Sequence, residues 1–338
     1  MSTETAARPA LTQSPAMLKP QQMGTAAYLN CFRGIVWREV LRFLHQRERF
    51  LSALVRPLIW LFIFAAGFRQ VLGVSIIPPY STYVLYETFV TPGLVGMILL
   101  FNAMQSSLSM VYDRETGAMR TLLVSPFPRS FLLLSKLCGG VFVAVLQAYV
   151  FLFVARIWEA WSWDTPLIEA LQSDGVAAMV GAFFNNIAGT FAQLGNVDPV
   201  PMGYVTLLPA LILSGLMLGS IALFMSSVIK QLENFAGVMN FVIFPMFFMS
   251  SALYPIWRLR ESSPLLATLA ELNPFTHAVE LIRFALYGQI GPPPDGGGID
   301  LTHLLVVVGC TILFLGAAIY AYNPSKGLIA RRGGPGRG

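Results

Sequence analysis

Charge is scarce in this chain: Asp, Glu, Lys and Arg together make up 12% of its 338 residues, about half the ~25% usual in soluble globular domains. So few charges cannot give water-facing surfaces to many all-round apolar helices, which excludes a large soluble core. Histidine is scarcer still. His45, His277 and His303 fall in three separate elements with no HExxH or HxxxH pair, so no set of metal ligands is expected. Cys31, Cys138 and Cys310 form no CxxC and no even set, which argues against a disulfide framework and a zinc site. The dipeptide Gly-Lys does not occur, so a GxxxxGKS/T phosphate loop is excluded. A GxSxG elbow is missing too. Ionisable residues inside the apolar runs are few, and Arg56 and Lys136 are expected near inner ends, where they can snorkel. Without mid-span carboxylates or histidines a proton relay is hard to build, which counts against a secondary transporter and an intramembrane enzyme. No catalysis is expected within this polypeptide, and no nucleic-acid partner.

What the chain has in abundance is apolar sequence, 55% of its residues. Six runs approach or reach the roughly 20 residues that cross a bilayer as a helix: Ser52–Phe68, Phe89–Val111, Phe131–Val154, Val205–Ile229, Phe235–Leu253 and Leu304–Tyr322. These runs are continuous rather than alternating, so they predict helices and not barrel strands. The fold class expected is an all-α polytopic membrane protein with six transmembrane helices. Residues 1–27 read as a disordered cytoplasmic tail without a signal-peptide h-region. Residues 28–330 form the membrane domain and residues 331–338 a second cytoplasmic tail.

Lys and Arg set the orientation. With the N-terminus inside, seventeen basic residues face inward and five outward: Arg69, Arg156, Arg258, Arg260 and Arg283. The positive-inside rule then places both termini in the cytoplasm. Ahead of the first span, "YLNCFRGIVWREVLRFLHQRERF" repeats Leu29, Phe32, Val36, Val40 and Phe43 on one side and Arg38, Arg42, His45 and Arg49 on the other. That pattern predicts an amphipathic interfacial helix with its arginines near anionic lipid. The alternative, a surface helix of a cytoplasmic domain, has little chain before it to build that domain. Residues 157–203, outside, hold five acids and no Lys or Arg. Their apolar part, "GVAAMVGAFFNNIAGTFAQLG", is expected to lie on or dip into the outer face, because a seventh span would carry Lys326, Arg331 and Arg332 outside. A second outer segment, Tyr254–Asp300, predicts two short helices with a break at Asn273-Pro274.

One inner segment stands out. "YDRETGAMRTLLVSPFPRS", residues 112–130, is charged and turn-prone amid apolar sequence. Asp113 and Glu115 favour the N-terminal end of a short helix, and Ser125-Pro126 stops it. Met119, Leu122 and Leu123 beside Arg114 and Arg120 give it a mixed surface suited to a partner's groove. An ordinary solvated loop fits these residues equally well.

In order, the interfacial helix, the six spans, "DRETGAMRTLLVSPFPRSFLLLSK" after span two and "LNPFTHAVELIRFALYG" before span six resemble the ABC-2 family of ABC-transporter permeases. The resemblance covers most of residues 28–330. It implies a coupling helix from Asp113 to Val124, docked on an ATPase subunit, with Asp113, Arg114, Glu115, Gly117, Met119, Arg120, Leu122 and Leu123 at its contact. Lys230, Gln231 and Glu233 in "KQLEN" would make a second contact. A re-entrant outer helix pair would run from Leu253 to Gly288 and carry Asn273, Pro274 and Arg283. The family also implies a homodimer, or a dimer with a similar chain, in the bacterial cytoplasmic membrane. No cofactor would be bound by this chain, with ATP and Mg held by two separate ATPase subunits. Two features differ from the family pattern: some 47 residues join spans three and four, where an envelope partner could bind, and Thr116 precedes Gly117.

A path for amphiphilic cargo is expected along spans two and five, with Asn102, Gln105 and Ser106 on the one and Asn240, Phe241 and Phe244 on the other. Interhelical hydrogen bonding explains the same polar stripe equally well. Gly215 and Gly219, at GxxxG spacing, predict close helix packing. Family precedent favours export. A secondary transporter, which usually shows a coupling-ion site and internal repeats, and a non-transporting assembly protein stay open as rivals.

Overall fold

The computed structural model describes residues 24–45, 54–61, 63, 86–116, 126–160, 177, 181, 202–229, 231–287 and 301–321. Among them every regular element is helical. In chain order these are α1 (Thr25–His45), α2 (54–61), α3 (Tyr86–Glu115), α4 (Arg129–Ala160), α5 (Met202–Val228) and α6 (Leu232–Phe248). They are followed by α7 (Ile256–Ser262), α8 (Pro264–Leu272), α9 (Pro274–Tyr287) and α10 (Leu301–Ala321).

Four of these helices are long and apolar enough to cross a membrane: Phe89–Glu115, Arg129–Ala155, Val205–Val228 and Leu301–Ala321. They carry the second, third, fourth and sixth expected spans. The fifth appears as the 17-residue apolar helix α6, the first is described at 54–61 and 63, and most of the 157–203 insertion lies outside the described residues.

The mean apolarity of α5 is spread around its whole circumference, and such a helix belongs inside a bundle. It packs against α3, α4, α9 and α10, and Leu207, Leu211, Met217 and Leu218 are fully enclosed. Gly215 and Gly219 face α4: a Cβ on Gly215 would lie 3.0 Å from Val141 Cγ1, and one on Gly219 would strike Leu137. The small-residue pair therefore serves close helix packing. The last helix, α10, sits at the rim, with Val307 and Ala318 its buried residues and Ile312, Leu313 and Tyr320 exposed.

After α6 the chain makes three short helices where two are expected. Ser263-Pro264 adds a break: proline disfavours the α conformation in the residue before it and is itself well placed in a first helical turn, so α7 ends and α8 begins there. The break at Asn273-Pro274 is present. Beyond it α9 is enclosed from Phe275 to Val279 and packs on α3, α5 and α10.

Gly93 is where α3 meets the bend after α6. A Cβ there would lie 2.7 Å from both the Cβ and the carbonyl oxygen of Ala252, so backbone, not a flexible side chain, would have to move. Gly93→Ala is expected to cost about 1–3 kcal/mol by overpacking. Gly309→Ala, with nothing within 4 Å of its added methyl, should be neutral or stabilising by up to ~1 kcal/mol. Thermal midpoints of the two purified variants would be compared, and equal midpoints would refute the packing account.

Candidate functional site: the joined ends of α3 and α6

The charged segment after span two begins inside a span helix. Asp113, Arg114 and Glu115 form the last turn of α3, which closes with Thr116 donating its N–H (3.0 Å) and its hydroxyl (2.9 Å) to the Tyr112 carbonyl. This corrects the expectation that the two carboxylates open a helix. They stand at a helix C-terminus, where the backbone dipole disfavours negative charge, and each has a compensating partner. Asp113 Oδ2 lies 3.2 Å from Lys136 Nζ on α4. Glu115 Oε1 accepts a 2.8 Å hydrogen bond from the Leu232 backbone N–H.

The second contact explains a local feature of α6. Its N-cap residue, Gln231, makes no capping bond with its side chain. A helix start leaves backbone N–H groups unpaired and carries partial positive charge, and Glu115 supplies the acceptor from another helix. Arg114 Nη1 donates to the Ile229 carbonyl at 3.5 Å on the same turn. Two segments 115 residues apart, expected separately to touch a partner, thus meet at one corner of the bundle. Gln231 and Glu233 are exposed beside them, lining an open recess with Val228, Ile229, Asn234, Gly237 and Val238. Gly117, Met119, Arg120, Leu122, Leu123 and Lys230 lie outside the described residues.

The corner continues into α1. Tyr28 packs edge-on against Phe127 and Phe131, with ring centroids 5.2 and 5.1 Å apart. Farther along, Val40 and Phe43 cluster with Val143. So α1 runs lengthwise beside the first half of α4. Of its expected apolar face, Val40 and Phe43 are buried and Leu29 is 67% exposed. Sequence reasoning passed over Glu39, which is buried against Gly139 and receives Arg38 at 3.3 Å and Arg42 at 3.7 Å. The signal was available: Glu39 is three residues before Arg42 and falls on the apolar side of the periodicity. His45 Nδ1 lies 2.8 Å from the Leu41 carbonyl, and Arg49 is outside the described residues. On α1, burial pushes the Cys31 thiol above its ordinary pKa.

The residues expected to line a cargo path diverge within the chain. Asn102 is buried and donates from Nδ2 to Gln147 Oε1 on α4 and to the Ile98 carbonyl, an interhelical bond of the kind that competes with a cavity role. Ser106 faces Gly140 of α4. Gln105 is half-buried, whereas Asn240, Phe241 and Phe244 lie along an exposed side of α6.

At the far end of the bundle Asn273 opens α9 and ties it down. Its Oδ1 accepts from the Phe275 N–H at 3.0 Å, an N-cap bond with Pro274 in the first helical position. Its Nδ2 donates to the carbonyls of Met246 and Met249, each at 2.7 Å, at the end of α6. Arg283 is buried, pairs with Glu280, donates to the Ser251 carbonyl at 2.8 Å and lies 4.1 Å over the Phe89 ring. Asn273, Pro274 and Arg283 thereby act on one job, fixing α9 against α3 and the end of α6. His277 and His303, distant in sequence, meet here with Nδ1 atoms 2.8 Å apart. Two histidines are too few for a structural zinc site, and no group of three candidate ligands occurs among the described residues.

A family described as "ABC-2 family transporter protein" matches residues 64–321. Among individual relatives, a protein of Pyropia yezoensis named as a transport permease, ycf38, is 25% identical over 262 residues, covering 76% of this chain and 74% of the relative. Nodulation protein J of Rhizobium meliloti is 24% identical over 204 residues, 59% of this chain and 70% of its own length. YbhR of Escherichia coli K12, named as a multidrug ABC transporter permease, is 26% identical over 207 residues, 60% of this chain and 45% of its own.

Proposed function

This chain belongs to the ABC-2 transporter family, and from that premise we propose that it is the membrane subunit of an ATP-driven exporter, moved by a separately encoded ATPase. It works as a homodimer in the bacterial cytoplasmic membrane, with both termini inside. Two ATPase subunits dock on the inner corner and hold the ATP and Mg. The 157–203 insertion meets an envelope partner at the outer exit.

The observation that carries this reading is the joining of the α3 end to the α6 start through Glu115 and Arg114. A push on a short loop is lost in that loop unless the loop is fixed to rigid elements, because coupling needs elements that move between discrete arrangements. Here a displacement of residues 113–116 is delivered to α3 and α6 together, and α3 also carries it to α4 through Asp113 and Lys136. ATP-driven closure of the ATPases would rock these helices as a set and alternate access to the path.

A mild-detergent pull-down of the full chain from native membranes tests this. A stoichiometric partner containing GxxxxGKS/T is expected, and Glu115→Ala combined with Arg120→Ala should reduce its recovery by about tenfold or more, as loss of a charged hot spot does. A chain that retains its dimer but brings down no such ATPase would remove the proposal in favour of ion coupling or a role in assembly.

A further inference from the structure

Arg56 packs against the middle of α3. Its guanidinium carbon lies 4.1 Å from the centroid of the Phe101 ring. Phe101 is 12 residues from Phe89 and 14 from Glu115, the two ends of that span. At ~1.5 Å rise per residue the ring is roughly 18–21 Å from either end, so the charge is held near the middle of the membrane. One turn farther along α2, Trp60 packs edge-on against Phe247 and Phe248, with centroids 6.1 and 5.8 Å away, at the outer end of α6. Both contacts set the same depth. A window bounded by charged residues places Arg56 near an edge, whereas packing against α3 and α6 determines where it sits.

A positive charge at that depth is costly unless a counter-charge meets it, and the face of one ring compensates it only in part. Arg56 is exposed, and no carboxylate pairs with it among the described residues. A second copy would not supply one from a span, because none of the six apolar runs contains Asp or Glu. Gln105, one helical turn inward from Phe101 and half-buried, falls on the same face of α3. Around Arg56 the exposed neighbours on α2 are Val55 and Ile59. The groups together are a guanidinium fork, an amide and an aromatic face beside open apolar surface.

We propose that Arg56, with Phe101 and Gln105, is an intramembrane site for the anionic headgroup of an amphiphile, a phosphate or a carboxylate on an apolar tail. Arginine presents paired donors that match both groups, and the tail lies along the apolar residues of α2. The proposal rests on the transporter reading for its role in cargo selection, but binding itself is independent of the ATPase.

Binding of radiolabelled dodecyl phosphate to the full chain in neutral phosphatidylcholine nanodiscs tests it, with dodecyl maltoside as the uncharged competitor. Wild type should prefer the phosphate by at least about tenfold, the worth of one hydrogen-bonded charge pair. Arg56→Gln should abolish the preference, Arg56→Lys retain part of it, and Arg258→Gln, at an exposed ion pair with Glu261, leave it unchanged. If Arg56→Gln does not fold, Arg56→Lys and Phe101→Leu carry the comparison, each expected to weaken phosphate binding. Adding phosphatidylglycerol separates the two sources: competition assigns the site to bilayer lipid, lack of competition to a free cargo, and both support an anion site. No charge preference in wild type, or one that survives in folded Arg56→Gln or is undiminished in both Arg56→Lys and Phe101→Leu, overturns it. Selective binding without a copurifying ATPase would uphold the site and remove the transporter reading, and an ATPase complex without selectivity would do the reverse.

Discussion

Arg283→Met is expected to destabilise this protein strongly. Its guanidinium serves Glu280, the Ser251 carbonyl and the Phe89 ring at once, and its side chain is 3% exposed. Removing it leaves a carboxylate and a buried carbonyl without their donor. Breaking a buried charge pair typically costs 3–5 kcal/mol, and because Glu280 keeps 21% exposure, about 3 kcal/mol is the reasonable figure here. At a few degrees per kcal/mol in chains of this size, the thermal midpoint should fall by roughly 5–10 °C. Arg283→Lys should recover little, because an ammonium is a point charge that cannot span acceptors on three elements. Arg283→Met with Glu280→Gln should recover part of the loss by removing the stranded charge. Detergent-solubilised protein heated and resolved by fluorescence-detected size exclusion gives the midpoints. A shift within about 1–2 °C, the range of surface substitutions, would show that α9 is held by its apolar face alone.

The same residue shows how far sequence reasoning reaches. Continuous apolar runs made the spanning helices legible, since lipid leaves an isolated segment little choice but a helix. Asn273-Pro274 was legible as a helix start because both residues have strong positional preferences there. The partners of Arg283 were not, because two of its contacts reach Ser251 and Phe89 through tertiary packing alone. The contact of Arg56 with Phe101 was not legible for the same reason: hydropathy orders residues along one helix but does not set that helix against its neighbours. Asp113 and Glu115 were read as the start of a helix because acidic residues favour that end. Neighbouring elements overrode the local preference, Lys136 neutralising one carboxylate and the bare start of α6 accepting the other. Ser263-Pro264 was available as a break and was passed over in favour of the stronger signal downstream.

The second large effect concerns that inner corner. Lys136 and Asp113 have 6% and 17% exposed side chains, and Glu39 and Arg42 of α1 stand near enough for their charges to act on Lys136. Either Lys136→Met or Asp113→Asn alone is expected to cost about 2–4 kcal/mol, since each strands a largely buried partner. The two together should return to within ~1 kcal/mol of wild type, because an apolar and an amide side chain carry no charge into that site. Stability and export should then separate. The ion pair fixes the last turn of α3 in one direction, and the same turn presents Arg114 and Glu115 to the 229–232 segment. Without it the turn can rotate at little cost while α3 and α4 remain packed. On the proposed function, ATP-driven export by the double variant should therefore stay below wild type by a factor of about 2–30, the range of coupling energies carried by such networks. Vesicles holding equal amounts of assembled complex, assayed for ATP hydrolysis and for cargo movement, would read this as hydrolysis that continues with less transport. Full recovery of export along with stability would mean that Lys136 and Asp113 only hold the bundle together, and the transmission of motion would have to be sought at Glu115 and Leu232 alone.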